Sequence, residues 1–177
     1  RFAVAPGQSV SVFTNNDDGH RTALDLIALG VGVAAVIDTR EGVVAKGNYP
    51  LFSGAQVTAT NGRLGLSSIT IRSKAGSQTL KSDCLAISGG WNPSVHLTCH
   101  MNGRPKWRED IAAFVPTENA VPGLLSIGAA RGDFTTHGAL QGGVDAANSV
   151  LADLGKPQVK ASLPKAEDAP TAITPFW

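Results

Sequence analysis

A short apolar run, a polar turn, a helical pattern and a second apolar run follow one another between Ser9 and Arg40. Val10, Val12 and Phe13 form the first run, which stops at Thr14-Asn15-Asn16-Asp17-Asp18-Gly19. His20 to Leu29 reads as a helix closed by Gly30, and Val33-Ala34-Ala35-Val36-Ile37 is the second run, ending in Asp38. Strand, helix and strand in this order make a βαβ unit, whose two strands must be parallel because the helix carries the chain back across the sheet. The turn after the first strand then faces the carboxyl edge of the sheet, where open α/β folds bind dinucleotides.

Within this unit the helix start is well marked. Asn16, Asp17 and Asp18 each carry a side-chain oxygen able to accept a free first-turn amide. Leu24, Ile27 and Ala28 are expected to face the sheet, with Ala23 small enough for close approach. The second strand is apolar on both faces, as a parallel strand covered on each side should be. Between Glu41 and Ser53, Gly42, Gly47, Asn48 and Pro50 rule out a long helix, so the unit is shortened.

Gln56 to Thr60, Ser68 to Arg72 and Ser77 to Lys81 read as an antiparallel meander, with Lys74-Ala75-Gly76 as a hairpin turn. Asp83 to Ser88 is a further buried strand, ended by Gly89-Gly90. Ser94 to Arg108 is polar and irregular, Ile111 to Pro116 a short strand, and Gly123 to Gly128 a final apolar strand. Ala139 to Leu154 is a helix with Leu140, Val144, Ala147, Leu151 and Leu154 on one face, stopped by Gly155 and Pro157. Beyond Lys156, Pro157, Pro164, Pro170 and Pro175 give an extended linker or tail that ends in Phe176-Trp177, an apolar pair expected either to dock on a surface or to lead into a further domain. The fold class expected is therefore α/β, a Rossmann-like βαβ unit with an antiparallel meander. The layout is a connector at 1–8, a reduced nucleotide-binding domain at 9–82, part of a second dinucleotide-binding domain at 83–155, and the tail at 156–177.

Composition narrows function by exclusion. Fifteen basic residues stand against fourteen acidic ones, so no basic field collects phosphates and nucleic acid is not expected as a partner. Cys84 and Cys99 make no CxxC pair, and Cys84 sits in an apolar strand as an inert thiol. No apolar run reaches the roughly 20 residues of a membrane helix, and no secretory pattern opens the chain, so a soluble cytoplasmic protein is the default. His96, Cys99 and His100 cluster, yet structural zinc needs four ligands and no fourth stands nearby, so no metal is expected.

The turn itself gives mixed signals. A dinucleotide fingerprint wants small residues at its first, third and sixth positions; here Thr14, Asn16 and Gly19 stand there. Asp17 and Asp18 place carboxylates where a phosphate would compete for the same amides. Asp38 ends the second strand about 20 residues on, where an acid binds a ribose hydroxyl, and Arg40 fits a 2′-phosphate instead, leaving NAD and NADP both open. A nucleotide site and a capped structural turn are the two readings. His20 is expected to be an exposed first-turn residue, with the ligand crevice as its alternative.

Three segments in order resemble the alpha-subunit family of heterotetrameric sarcosine oxidase, within the glutathione-reductase-like flavoprotein class. They are Val12 to Gly19 with its helix and Asp38-Thr39-Arg40; Asp83 to Pro93 with Val95-His96-Leu97 and Gly103-Arg104-Pro105-Lys106-Trp107; and Leu124 to Gly132 with the helix after it. The resemblance covers roughly residues 8 to 155. It implies a three-layer, glutathione-reductase-like fold and a hetero-oligomeric parent that demethylates sarcosine oxidatively. That parent would use FAD, FMN and oxygen, with tetrahydrofolate accepting the one-carbon unit and NAD also bound. It places no substrate-oxidising residue in this chain, which would hold a dinucleotide and dock other subunits. The cofactor contacts expected are Thr14, Asn15, Asn16, Gly19, Asp38 and Arg40 around the first turn, and Gly89, Gly90, Gly128, Ala129 and Ala130 in two later small-residue turns. A non-catalytic module with a degenerate nucleotide site is the alternative. By the same resemblance the chain reads as a middle piece of its family, with Phe176-Trp177 at the edge of a following half.

Overall fold

The computed structural model describes residues 4–169 and 171–176. Trp177, Pro170 and the first three residues of the connector lie outside the described residues. The chain divides into two units, one running to Gly90 and including the segment from Ala172, the other spanning Trp91–Thr171.

Unit 1 is the βαβ unit with its meander. In chain order it contains β1 (Ser9–Thr14), α1 (Asp17–Ala28), β2 (Gly32–Asp38), β3 (Leu51–Ser53), β4 (Gln56–Asn61), β5 (Ser68–Ser73), β6 (Gly76–Lys81) and β7 (Cys84–Ser88). The strands β3-β2-β1-β7 form one parallel sheet, and β4-β5-β6 an antiparallel one. Alternation along the strands splits the core in two. Val10, Val12 and Val36 pack with Ala23 of α1 and with Tyr49 on one face. Ala35 and Ile37 pack on the other against Ile69 and Ile71 of the meander. Helix, parallel sheet and meander thus make three layers, the α/β class expected. Burying Ile37, Ile69 and Ile71, none more than 1% exposed, contributes about 1.5–3 kcal/mol each.

Three expectations for unit 1 change. The buried stripe of α1 is Gly19, His20 and Ala23, while Leu24 and Ile27 are more than a third exposed. The close pass of α1 over β1 turns the helix so that its smallest residues face inward. Leu51–Ser53, in the weakly patterned stretch, pairs with β2 as a short edge strand. β7 pairs in register with β1 instead of opening the second unit, so the boundary lies at Gly90.

Unit 2 holds α2 (His96–His100), β8 (Lys106–Arg108), β9 (Ala113–Val115) and α3 (Thr136–Asp153). β8 and β9 form a hairpin around Ile111, Ala113 and Val115, with Trp107 edge-on to Phe114 at 5.1 Å. Gly123 to Gly128 is not a strand. Gly123 and Gly128 adopt left-handed φ of 75° and 56°, and a 3-10 turn begins at Gly128. Ser94 to Arg108, read as irregular, contains α2 and β8. The tail is pinned along α3: Asn148 exchanges two hydrogen bonds with the Val159 backbone at 2.8 and 3.1 Å. Asp168 accepts from the amides of Thr136 and His137 at the helix start. No described helix is long and apolar enough to cross a membrane.

Candidate functional site at the carboxyl edge of the parallel sheet

β1 delivers Thr14 to the carboxyl edge, and the chain turns into α1 through Asn15 and Asn16, all three buried. Asn16 is the N-cap: its side-chain oxygen accepts from the Asp18 amide at 2.9 Å. Its Nδ2 donates to Asn15 Oδ1 and to the Ser88 carbonyl at the end of β7. The Thr14 hydroxyl lies 3.0 Å from the carbonyls of Ser88 and Asn16 and accepts from the Asn16 amide. Polar side chains therefore bind the turn to the ends of β1 and β7. Gly19 has a steric reason to be glycine, since a Cβ there would fall 2.4 Å from Thr14 Cβ.

Asp38, at the end of β2, has no exposed surface. Its Oδ1 accepts from the Arg40 amide at 2.9 Å and from Arg40 Nε at 3.1 Å. Its Oδ2 accepts from His20 Nε2 and Arg40 Nη2, both at 2.8 Å. Burial pushes the Asp38 carboxyl up, but the Arg40 and His20 bonds outweigh it and hold the group below the usual carboxylate range. Arg40 also reaches Asp17 at 2.9 Å, and Lys46 meets the other Asp17 oxygen at 2.7 Å. The Lys46 bond is the main cause that lowers the Asp17 carboxyl.

His20 is completely buried and completes this network. Its Nδ1 lies 2.9 Å from the Tyr49 hydroxyl, which accepts from the Lys46 amide at 3.1 Å. An ionised Asp38 can only accept, so His20 carries a hydrogen on Nε2 and donates it to the carboxylate. The side-chain polar atoms of Tyr49, His20 and Asp38 all have partners in the protein.

The segment after Ala172 crosses the same edge. Asn16 and Ile173 form an antiparallel bridge. The Thr174 amide donates to the Asn15 carbonyl at 3.3 Å, and its carbonyl accepts from Asn15 Nδ2 at 2.9 Å. Ile173 Cδ1 lies 2.5 Å from where a Cβ on Gly90 would sit, and Phe176 meets the Phe13 ring edge-on at 6.4 Å. Of the expected contacts, the structure brings Asn15, Asn16 and Gly90 against this segment, with Thr14 at the end of β1 and Asp38, bonded to Arg40, opposite it at the end of β2. Gly89 is exposed, with nothing within 4 Å of a Cβ placed on it.

Gly128, Ala129 and Ala130 lie in unit 2, in the 3-10 turn before α3. A Cβ on Gly128 would come 3.2 Å from Ala139 Cβ, and Ala129 is exposed. Beside this turn, Leu124, Ile127, Gly142 and Ala146 line a cavity of about 210 Å³, with Arg131 at its wall held by Glu118 at 2.7 Å. Among the described residues no group of three or more His, Cys, Asp or Glu is placed to hold a metal ion. Tyr49 and the contacts of Ala172–Thr174 escaped the sequence reading, and His20, expected at the surface, is completely buried. The signal for His20 was its place between Gly19 and Ala23, the two small residues that mark the inner face of α1.

No protein-family model matches the chain. Sarcosine oxidase subunit alpha of Rhizobium meliloti (strain 1021) is 33% identical over 181 residues, covering all of this chain and 18% of that protein. The subunit alpha of Corynebacterium sp. (strain U-96) is 32% identical, again over the whole chain and 20% of its own length. Among solved structures, thioredoxin reductase from T. acidophilum matches with TM-score 0.65, 18% identity, 84% of this chain and 53% of its own. L-proline dehydrogenase from P. horikoshii matches with TM-score 0.63, 17% identity, 89% of this chain and 28% of its own. These structural likenesses establish the dinucleotide-binding fold alone. The chain spans about a fifth of the length of the curated relatives it matches, and its whole length is similar to one segment of sarcosine oxidase alpha subunits.

Proposed function

We propose that this chain serves a flavoprotein oxidoreductase of the sarcosine oxidase type, and that unit 1 is its non-catalytic structural module with a closed nucleotide crevice. The parent would demethylate sarcosine oxidatively with FAD and FMN, passing electrons to oxygen and the one-carbon unit to tetrahydrofolate. Within it, the turn Gly128-Ala129-Ala130 of unit 2 is offered to a dinucleotide held by the rest of the protein, since small side chains there admit close approach. Exposed apolar residues give surface for docking the other subunits: Ile87 is 69% exposed, Leu97 72% and Phe114 54%.

One observation carries the closed-crevice reading. Both oxygens of Asp38 already accept hydrogen bonds from His20 and Arg40, so a ribose hydroxyl would have to displace an ion pair to reach them. The α1 start offers a phosphate little, because Asn16 occupies the Asp18 amide and two carboxylates stand in the first turn. NAD and NADP do not fit this turn as it is built. Titrating NAD into the chain to millimolar concentration, followed by amide NMR, should leave Thr14 to Gly19 and Asp38 unmoved. Saturable shifts confined to those residues would instead establish the live dinucleotide turn. Shifts at Gly128 to Ala130 on adding the cofactor-loaded remainder of the complex would support the role given to unit 2.

A further inference from the structure

The geometry points to the Ala172–Phe176 segment as the resident occupant of the unit 1 crevice: the edge that takes a nucleotide in related folds is here a docking site for an extended, uncharged peptide. This deepens the closed-crevice reading and rests on it. The site has three parts. Asn15 grips one residue twice, its backbone carbonyl taking the Thr174 amide and its Nδ2 giving to the Thr174 carbonyl. Asn16 Nδ2 donates to Asn15 Oδ1 at 2.8 Å, which orients the Asn15 amide so that its nitrogen faces the segment. Ile173 fills the space that Gly90 leaves open, a glycine that also holds a left-handed φ of 111°. Phe176, three residues on, lays its ring against Phe13.

The chemistry suits a peptide better than a phosphate. Main-chain pairing to a strand end supplies affinity, and two apolar side chains in separate seats supply register, which is how strand addition recognises extended segments. Ile173-Thr174-Pro175-Phe176 carries no charge, so the carboxylates of Asp17 and Asp18 at the start of α1 do not oppose it. Docked there, the segment ties whatever follows it in the polypeptide to the carboxyl edge of unit 1.

Amide hydrogen exchange on the full chain tests this. Local opening of a docked segment costs free energy that a free one does not, so the Thr174 amide should exchange about tenfold or more slowly than an unstructured reference. The protection should vanish in Ile173→Asp, and in Asn15→Ala should fall while the central strands keep theirs. Thr174 exchanging at the free rate in the unsubstituted chain would overturn the proposal without touching the closed crevice. NAD that shifts Thr14 to Gly19 and frees Thr174 in the unsubstituted chain would overturn both. NAD that binds only in Ile173→Asp would uphold the segment as occupant and overturn the reading that side chains alone close the crevice.

Discussion

Replacing Asp38 by Asn is the sharpest test of how unit 1 is held together. The substitution keeps the shape, removes the charge, and turns one acceptor into a donor. In the folded chain that donor must face either His20 Nε2–H and Arg40 Nη2, each 2.8 Å from Oδ2, or the Arg40 amide and Nε, 2.9 and 3.1 Å from Oδ1. One donor–donor contact results whichever way the amide turns. Asp38 has no exposed surface, so water cannot repair the fault, while Arg40 keeps its second partner Asp17. Removing one member of a buried pair costs about 3–5 kcal/mol, and the retained Asp17 contact places this case near the lower end, about 3 kcal/mol. At roughly 4–8 °C per kcal/mol for a unit of this size, the melting temperature should fall by about 12 °C or more. Urea denaturation followed by far-UV circular dichroism measures the free energy, and calorimetry the temperature. A loss below about 1 kcal/mol, the range of exposed pairs, would refute the reasoning and return Asp38 to the role of a free ligand group.

Gly19→Ala should cost about 1–3 kcal/mol, because the new methyl would lie 2.4 Å from Thr14 Cβ and α1 must move off β1; equilibrium unfolding reads it. Tyr49→Phe strips the partner from both His20 Nδ1 and the Lys46 amide, and should cost about 1–3 kcal/mol with no change in fold by circular dichroism. The carboxyls of Asp38 and Asp17 are both held below the usual carboxylate range, so their contribution is present above about pH 4 and is lost as pH falls through their folded values; an acid titration of stability should steepen below about pH 4, and less so in Asp17→Asn. Asp168→Ala frees the Thr136 and His137 amides and should fray the first turn of α3, seen as faster exchange at those residues.

What the sequence made legible was whatever depends on periodicity. The short apolar runs of β1 and β2, the turn residues before α1 and the meander spacing recover the three-layer unit because each follows from local backbone geometry. The second unit was harder. Gly123 to Gly128 is as apolar as a strand, but its two glycines turn left-handed, and apolarity alone cannot distinguish a strand from a loop. The inner face of α1 was misread for a related reason: hydrophobicity favoured Leu24 and Ile27, while the tight pass over β1 selected Gly19, His20 and Ala23 by size. The segment from Ala172 contacts residues over 150 positions earlier, as in the Asn15–Thr174 bond, and no local pattern encodes that.

The surviving glycine of the turn shows why motif counting misjudged the site. A dinucleotide fingerprint asks its glycines for different things: a tight turn and phosphate approach from the early ones, close helix–strand packing from the last. Only the packing requirement survives the loss of a ligand, because the helix must cross the strand whether or not a phosphate is there. Gly19 meets that requirement against Thr14, so its presence says nothing about binding. The early positions are the informative ones, and Thr14 and Asn16 there spend their polar atoms on Ser88, Asn15 and Asp18. The same division applies to Asp38. An acid at the end of β2 suits a ribose or an ion pair equally until its neighbours are known, and the buried His20 that decides between them was the residue expected at the surface. In a βαβ unit, therefore, the residues that face the ligand in the early turn and the polar groups behind the strand-end acid tell a live site from a closed one.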